Sequence, residues 1–379
     1  MRQSAVLCLL YGAAVWGPLA SAGAPASDNP LQTVLDRAVG AESARFFDAG
    51  CHVGLSMAVV RPEGTYIYNY GATTRDGSRL ADRRSLYEIA SVTKTFTAAL
   101  AAHAVIDKRM TLDGDFRAYL PDSYTNLAWN GDPINLRWLL THRSGMPRDI
   151  PDTDAIYARG DFRTQPHDLI AIAEDYNRNR ILSALHDVHL NSAPGEKEAY
   201  SNAGFLVIAF GLERIYGQSF PELTSRIILR PLGMTSTSFA VKRADRSRLV
   251  KGYDRYGRIM PYHLPMAGAA WGLYSSAEDL GKFVRWQLSE QNPLIDLSHQ
   301  PLIGNERDGV AMAWHLGFES DQPMLWHGGG SFGMSAQVVL FPKQHDGYAL
   351  LANDACQGTE SALADIAVSL QGQLSLAGD

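Results

Sequence analysis

The 379-residue sequence predicts an α+β protein: an antiparallel sheet of about five strands drawn from both chain ends, flanked by helices, with an inserted and mostly helical lobe. Three observations predict it. Strand-like runs lie near both termini, at residues 54–61 and 65–70 and again at 334–341 and 348–353. An apolar, alanine-rich run follows Ser91 and reads as a buried helix. From about residue 110 to 217 the pattern is helical, broken by loops.

Taken in order, residues 1–22 read as a secretory signal peptide. Arg2 supplies the positive start, residues 5–19 the apolar stretch, and Ala20-Ser21-Ala22 a small-residue cleavage pattern. A membrane anchor is the alternative, but the apolar run is short and ends in small residues. Cys8 sits early in that run, away from the cleavage pattern, so lipid attachment is not expected. No other stretch approaches the ~18 apolar residues that a membrane span needs. A periplasmic or secreted protein is expected, with residues 23–379 forming one domain.

Residues 29–49 read as an amphipathic helix, and Pro62-Glu63-Gly64 turns the first strand into the second. Within the lobe, residues 136–142, 166–177, 181–185 and 203–215 are the expected helices, and 147–163, rich in Pro, Asp and Gly, a loop near a site entrance. The helix at 220–230 is stopped by Pro231 and Gly233. Ser276, with Asp279 three residues on, caps another over 276–290. The two C-terminal strands are followed by a helix from about 359 to 370.

After signal removal Cys51 and Cys356 remain. Cys51 opens one strand-like run and Cys356 follows another. If those strands pair antiparallel, the start of one meets the end of the other, so a Cys51–Cys356 disulfide is expected; two buried thiols are the alternative. The formal charge, 34 − 40 = −6, with no polybasic run, argues against a nucleic-acid partner.

Chemistry centres on Ser91-Val92-Thr93-Lys94. Residues at i and i+3 share a helical face, so the hydroxyl and the amine meet. Serine is a weak nucleophile at neutral pH, and lysine becomes a base only when burial lowers its pKa. Of the seven lysines only Lys94 has a serine three residues before it. Such a match arises by chance in roughly one of two chains, and a helix start capped by Ser91 explains it equally well.

Other patterns are weaker. Gly329-Gly330-Ser331-Phe332-Gly333 matches a nucleophile elbow, but a strand-like run follows where a helix is needed, and no acid lies between Ser331 and His345. Ser27-Asp28-Asn29 lies beside the cleavage pattern, where a flexible, solvated segment is expected. His186-Asp187-Val188-His189 lacks a third metal ligand and reads as a surface turn.

Two further segments join Ser91 and Lys94. Tyr200-Ser201-Asn202 follows an Ala193-Pro194-Gly195 turn, and Trp326-His327-Gly328-Gly329-Gly330 ends a strand. Together they resemble the three signatures of the serine β-lactamase and penicillin-binding protein superfamily, in its class C-like branch: S-x-x-K, Y-x-N, and K-T-G or H-x-G. The likeness continues in Leu139-Leu140-Thr141-His142-Arg143-Ser144-Gly145-Met146-Pro147, in Arg230-Pro231-Leu232-Gly233-Met234, and from Gly272 to Leu280, in matching order across roughly residues 45 to 370.

The resemblance implies a β-lactamase/transpeptidase-like fold and a serine hydrolase. Ser91 would be acylated, Lys94 would take or share its proton, and Tyr200 would be the partner base, its pKa lowered by Lys94 and His327. Asn202 would hold a substrate amide. The N–H groups of Ser91 and Gly330 would bind the oxyanion, with Gly329 and Gly330 permitting close approach of the strand. No metal or organic cofactor is implied. His327 stands where many β-lactamases have lysine, and a mostly neutral imidazole favours peptidase or esterase relatives. The expected substrate is a peptide or other small molecule, first a D-Ala-type or cell-wall-like peptide cleaved in a carboxypeptidase/endopeptidase manner. Small esters, β-lactams or acyl transfer are alternatives, and a non-catalytic sensor stands outside that class.

Overall fold

A computed structural model describes residues 25–161, 163–263, 268–289 and 291–377. The signal-peptide segment lies outside these residues. Strand β1 (Gly54–Arg61) sends Leu55, Met57 and Val59 into one core and Ala58 and Val60 into another, the period-two division of a strand buried on both faces. Beside it runs β2 (Gly64–Gly71). The C-terminal third adds β3 (Ile303–Gly304), β4 (Gly309–Val310), β5 (His315–Glu319), β6 (Gln322–Gly330), β7 (Ser335–Phe341) and β8 (Asp346–Ala352). The sheet order is β2-β1-β8-β7-β6-β5-β4-β3, and every neighbouring pair is antiparallel.

Eight strands replace the expected five or so. The additions are short edge strands, two of them of two residues each, while β5 is interrupted by Gly317. Such segments carry too few alternating positions to register in sequence.

Helices follow in chain order: α1 (Val34–Asp48), α2 (Thr93–Ile106), α3 (Leu136–Leu140), α4 (Asp154–Arg159), α5 (Gln165–Glu174), α6 (Arg178–Ala184), α7 (Asn202–Tyr216), α8 (Phe220–Thr224), α9 (Gly268–Trp271), α10 (Ala277–Gln287), α11 (Pro293–His299) and α12 (Thr359–Ala377). One face of the sheet is covered by α1 and α12, and the other by α10. Thr33 and Asp36 form a capping box at α1, while the Ser276 hydroxyl accepts the Asp279 N–H at the start of α10. Between α2 and α8 the chain runs through α3 to α7.

α2 is buried nearly all round. Its alanines at 98, 99, 101, 102 and 104 allow neighbours to approach closely, and Phe96 stacks on Phe283 of α10 with ring centroids 3.9 Å apart. A helix so enclosed fixes its N-terminal turn rigidly.

The β1–β8 register sets Leu55 opposite Ala352, and just beyond it Cys51 and Cys356 are joined as a disulfide. Ser27 and Asp28 are exposed, as expected of a solvated segment, but the stretch is held in place. Asp28 accepts the backbone and side-chain N–H groups of Asn69, docking this stretch on the free edge of β2. His186-Asp187-Val188-His189 is a polar turn in which His186 pairs with Asp122 at 3.3 Å.

Candidate active site

Ser91 stands in a single helical turn, Ala90–Val92, that leads into α2. Ala90 holds φ at 43°, a left-handed value that costs a non-glycine residue about 1–3 kcal/mol. The N–H groups that open such a turn have no partner within it, so that of Ser91 is left for a ligand.

Lys94 Nζ lies 3.2 Å from Ser91 Oγ, as the i,i+3 spacing predicts. It also donates to Asn202 Oδ1 and to the Ala270 carbonyl of α9, each at 2.8 Å. The residue is fully buried. Desolvation drives the amine well below the ordinary lysine range, against the pull of Asp149 and with a smaller push from Arg148. A neutral amine has two N–H bonds and one lone pair. Two carbonyl oxygens that only accept take both protons, leaving the lone pair to the Ser91 hydroxyl.

Tyr200 precedes α7, whose N-cap Ser201 donates its hydroxyl to the Pro147 carbonyl at 2.6 Å and accepts the Gly204 N–H at 2.9 Å. So anchored, Tyr200 Oη reaches 2.6 Å from Ser91 Oγ. Its ring lies 4.3 Å from that of His142 and 4.8 Å from Lys94 Nζ. Burial pushes the hydroxyl up to about 12, with the Ser91 hydrogen bond and Arg148 pulling down. The residue keeps 36% of its surface exposed, so cleft water tempers the rise, yet the resting group is a phenol. The sequence reading has Lys94 and His327 lowering this pKa. They do not: burial raises it, and the charges that act on the phenol are those of Arg148, Glu360 and Asp149.

His327, in β6, is buried, and its Nδ1 bonds the Ala313 carbonyl. A carbonyl only accepts, so Nδ1 carries the proton and Nε2 keeps its lone pair. Desolvation first, then His315 and Lys94, pulls the imidazole down to about 3. His327 is therefore a neutral polar wall.

The strand end itself supplies donors. Pairing of β5 with β6 stops at His315 and Trp326, so residues 327–330 have no neighbour on that side. Ser331 N–H donates to Met334 O, which makes 331–334 a hydrogen-bonded pair. By alternation along the ladder, Gly329 faces β7 and the N–H of Gly330 points to the open side. There the Ser91 turn packs: a Cβ on Gly329 would stand 2.4 Å from Ile89 O and 3.0 Å from Ser91 N. Gly329 is thus the glycine that the close approach requires.

Asn202 is engaged inside the protein. Its Oδ1 accepts from Lys94, and its Nδ2 donates to Asp149 Oδ1 at 2.8 Å. It also lines the cleft, where the resemblance has it holding a substrate amide, and its bond to Lys94 orients the amine. Asp149 and its neighbour Arg148 were not singled out in the sequence reading, although they fall at the start of the loop expected near the entrance. Glu360 was missed too. As an acid in the first turn of α12 it gives no more signal than a partner for the helix dipole.

These residues line a cleft of about 460 Å³ that includes Ser91, Tyr200, His327, Arg148, Trp271 and Glu360. Tyr157 comes from the 147–163 segment expected near the entrance, and Gln165 and Leu169 from α5. Among the described residues one group with metal-ligand chemistry, Cys51, His52, Asp354 and Cys356, is closed by the disulfide and does not line this cleft.

A buried lysine, a serine and a tyrosine meeting at a strand end, on a sheet of this topology, define the class of a serine hydrolase. The sequence model of the Beta-lactamase family matches residues 42–373, and the chain belongs to that family. It is 26% identical over 312 residues to Protein flp of Staphylococcus aureus strain N315, a match covering 79% of this chain and 59% of that protein. It is 29% identical over 238 residues to a Beta-lactamase of Pseudomonas fluorescens, covering 61% of this chain and 58% of that one. The chain thus spans less than two thirds of the length of these curated relatives. Among solved structures, a class C beta-lactamase superposes with a TM-score of 0.77 at 18% identity, covering 92% of this chain and 98% of that one. The octameric penicillin-binding protein homologue from Pyrococcus abyssi gives 0.71 at 22% identity, covering 89% and 76%.

Proposed function

We propose that this chain hydrolyses amide bonds of peptides, D-Ala-type or cell-wall-like, through an acyl-enzyme on Ser91. The observation that carries this reading is the hydroxyl held at 2.6 Å from Tyr200 Oη and 3.2 Å from Lys94 Nζ. Ser91 Oγ attacks the carbonyl carbon while Lys94 takes the hydroxyl proton. The N–H groups of Ser91 and Gly330 receive the developing oxyanion, a contribution worth about 10²–10³ in rate per donor. Tyr200 donates its proton to the leaving nitrogen and is reprotonated from Lys94, which the Ser91 oxygen links to it. Water then attacks the ester, its proton passes to the same pair, and Ser91 leaves as the hydroxyl.

A neutral His327 supports cleavage within or at the amino end of a peptide over removal of a C-terminal residue, because no cation there captures a free carboxylate. β-Lactam turnover is the second reading, favoured by the relative named Beta-lactamase. A periplasmic or secreted location is proposed with it, supported by the Cys51–Cys356 disulfide, which persists in oxidising compartments.

Ser91→Ala tests the mechanism: turnover and covalent labelling by a serine-reactive phosphonate should both vanish. Retention of both in the purified variant rules the acyl-enzyme out. A panel of D-Ala-D-Ala peptides, D-aminoacyl amides, p-nitrophenyl esters and nitrocefin ranks the substrates.

A further inference from the structure

Two charged side chains in the cleft, Arg148 and Glu360, have no part in the mechanism above. Glu360, in the first turn of α12, makes no hydrogen bond or ion pair with any described residue. Its carboxylate lies against the strand end that carries the oxyanion donor. A Cβ on Gly330 would stand 2.4 Å from Glu360 Oε1, and one on Gly328 3.2 Å from Oε2. Glycine at these positions leaves room for the carboxylate beside the reacting carbonyl.

A negative charge there opposes the reaction, because the oxyanion develops beside it. It also disfavours ionisation of Tyr200. At Tyr200 the Arg148 charge opposes that effect, and the other nearby bases contribute little. Burial pulls Lys94 well below the ordinary lysine range and pulls His327 and His315 down as well. Arg148, the other charged residue of the cleft, is engaged by Asp149 at 3.9 Å and by the rings of Tyr157 and Tyr200 at 4.4 and 5.4 Å. The dipole of α12 favours an acid in this turn, and Glu360 is exposed, so water solvates its carboxylate while the cleft is open. A bound substrate displaces that water, and a cationic one replaces it.

We propose that Glu360 is a specificity-determining residue that selects substrates carrying a cationic group, such as a free ammonium, within a few bonds of the scissile carbonyl. This rests on the acyl-enzyme reading and narrows it toward aminoacyl amides and esters, away from substrates with a carboxylate at that place. The cation pairs with Glu360, neutralises it beside the oxyanion, and orients the carbonyl toward Ser91. Hydrogen bonds to charged groups contribute about 1.5–3 kcal/mol, which sets a preference on the order of 10- to 100-fold in kcat/KM.

Two matched pairs test it, one varying the acyl side and one the leaving group: D-alanyl-p-nitroanilide against its N-acetyl form, and acetylthiocholine against its neutral 3,3-dimethylbutyl thioester isostere. The wild-type chain should prefer the cationic member of at least one pair by about 10-fold or more. Glu360→Gln should erase that preference and Glu360→Lys should invert it, while both variants label with a neutral phosphonate no more slowly than the wild type, which shows that the fold and Ser91 are intact. Equal kcat/KM within both pairs, or a preference that survives in Glu360→Gln, overturns the role of Glu360 alone. A wild-type chain that neither labels at Ser91 nor turns over any member overturns the acyl-enzyme reading, and this one with it.

Discussion

Lys94 Nζ donates to Asn202 Oδ1 at 2.8 Å, and the far end of the same amide donates to Asp149 Oδ1 at the same distance. Asn202 thus aims the amine at Ser91 while separating it from the nearest carboxylate. Asn202→Asp keeps an acceptor but places a charge against Lys94. The amine pKa should rise, and since the base acts only when neutral, the acidic limb of the kcat/KM–pH profile should move toward alkaline pH. An unshifted limb excludes Lys94 as the titrating base.

Gly329 and Gly330 predict unequal outcomes. At 329 the obstacle to a side chain is backbone, Ile89 O, whereas at 330 it is the Glu360 side chain. Gly329→Ala should therefore cost on the order of 10²-fold or more in phosphonate labelling rate, as the strand is pushed from the Ser91 turn. Gly330→Ala should cost less, and adding Glu360→Ala should restore most of the loss. Equal defects, unrelieved by the second change, contradict this account of the strand end.

Much of this was legible in the sequence, for identifiable reasons. The long strands at 54–61 and 335–341 are apolar runs bounded by turn residues, and S-x-x-K, Y-x-N and H-x-G are rigid in spacing, so Ser91, Lys94 and Tyr200 stand out before any contact is known. Short edge strands such as Ile303–Gly304 carry no pattern of their own. The pKa logic of Tyr200 was misjudged because sequence gives adjacency without burial: a neighbouring lysine reads as a cation until its desolvation is known. Glu360 was invisible because its meaning depends on α12 starting beside β6, some thirty residues away in sequence.

The disulfide closes 305 residues of chain, so its main effect is expected on the unfolded state. Cys51→Ala/Cys356→Ala should lower unfolding stability by about 2–5 kcal/mol in a urea titration, while kcat at 25 °C changes little, because neither residue lines the cleft. A large loss of kcat without loss of stability runs against it.

Acid sensitivity follows from the histidines held neutral by burial. His327 is pulled down to about 3 in the folded chain, against about 6.5 when unfolded. Between those values the unfolded state binds a proton that the folded state refuses, so stability is full above pH 6.5 and falls as pH drops toward 3. A shift of that size corresponds to roughly 5 kcal/mol at most. His299, partly buried and pulled down to about 3, acts in the same direction, so the measurement is a difference. His327→Gln retains a donor for the Ala313 carbonyl but does not titrate. Thermal unfolding of this variant and the wild type should converge as pH is lowered from 7 to 4, the wild type losing its advantage as its unfolded histidine takes up a proton. Parallel Tm–pH curves contradict a neutral, buried His327, and with it the assignment of that side chain as an uncharged wall of the cleft.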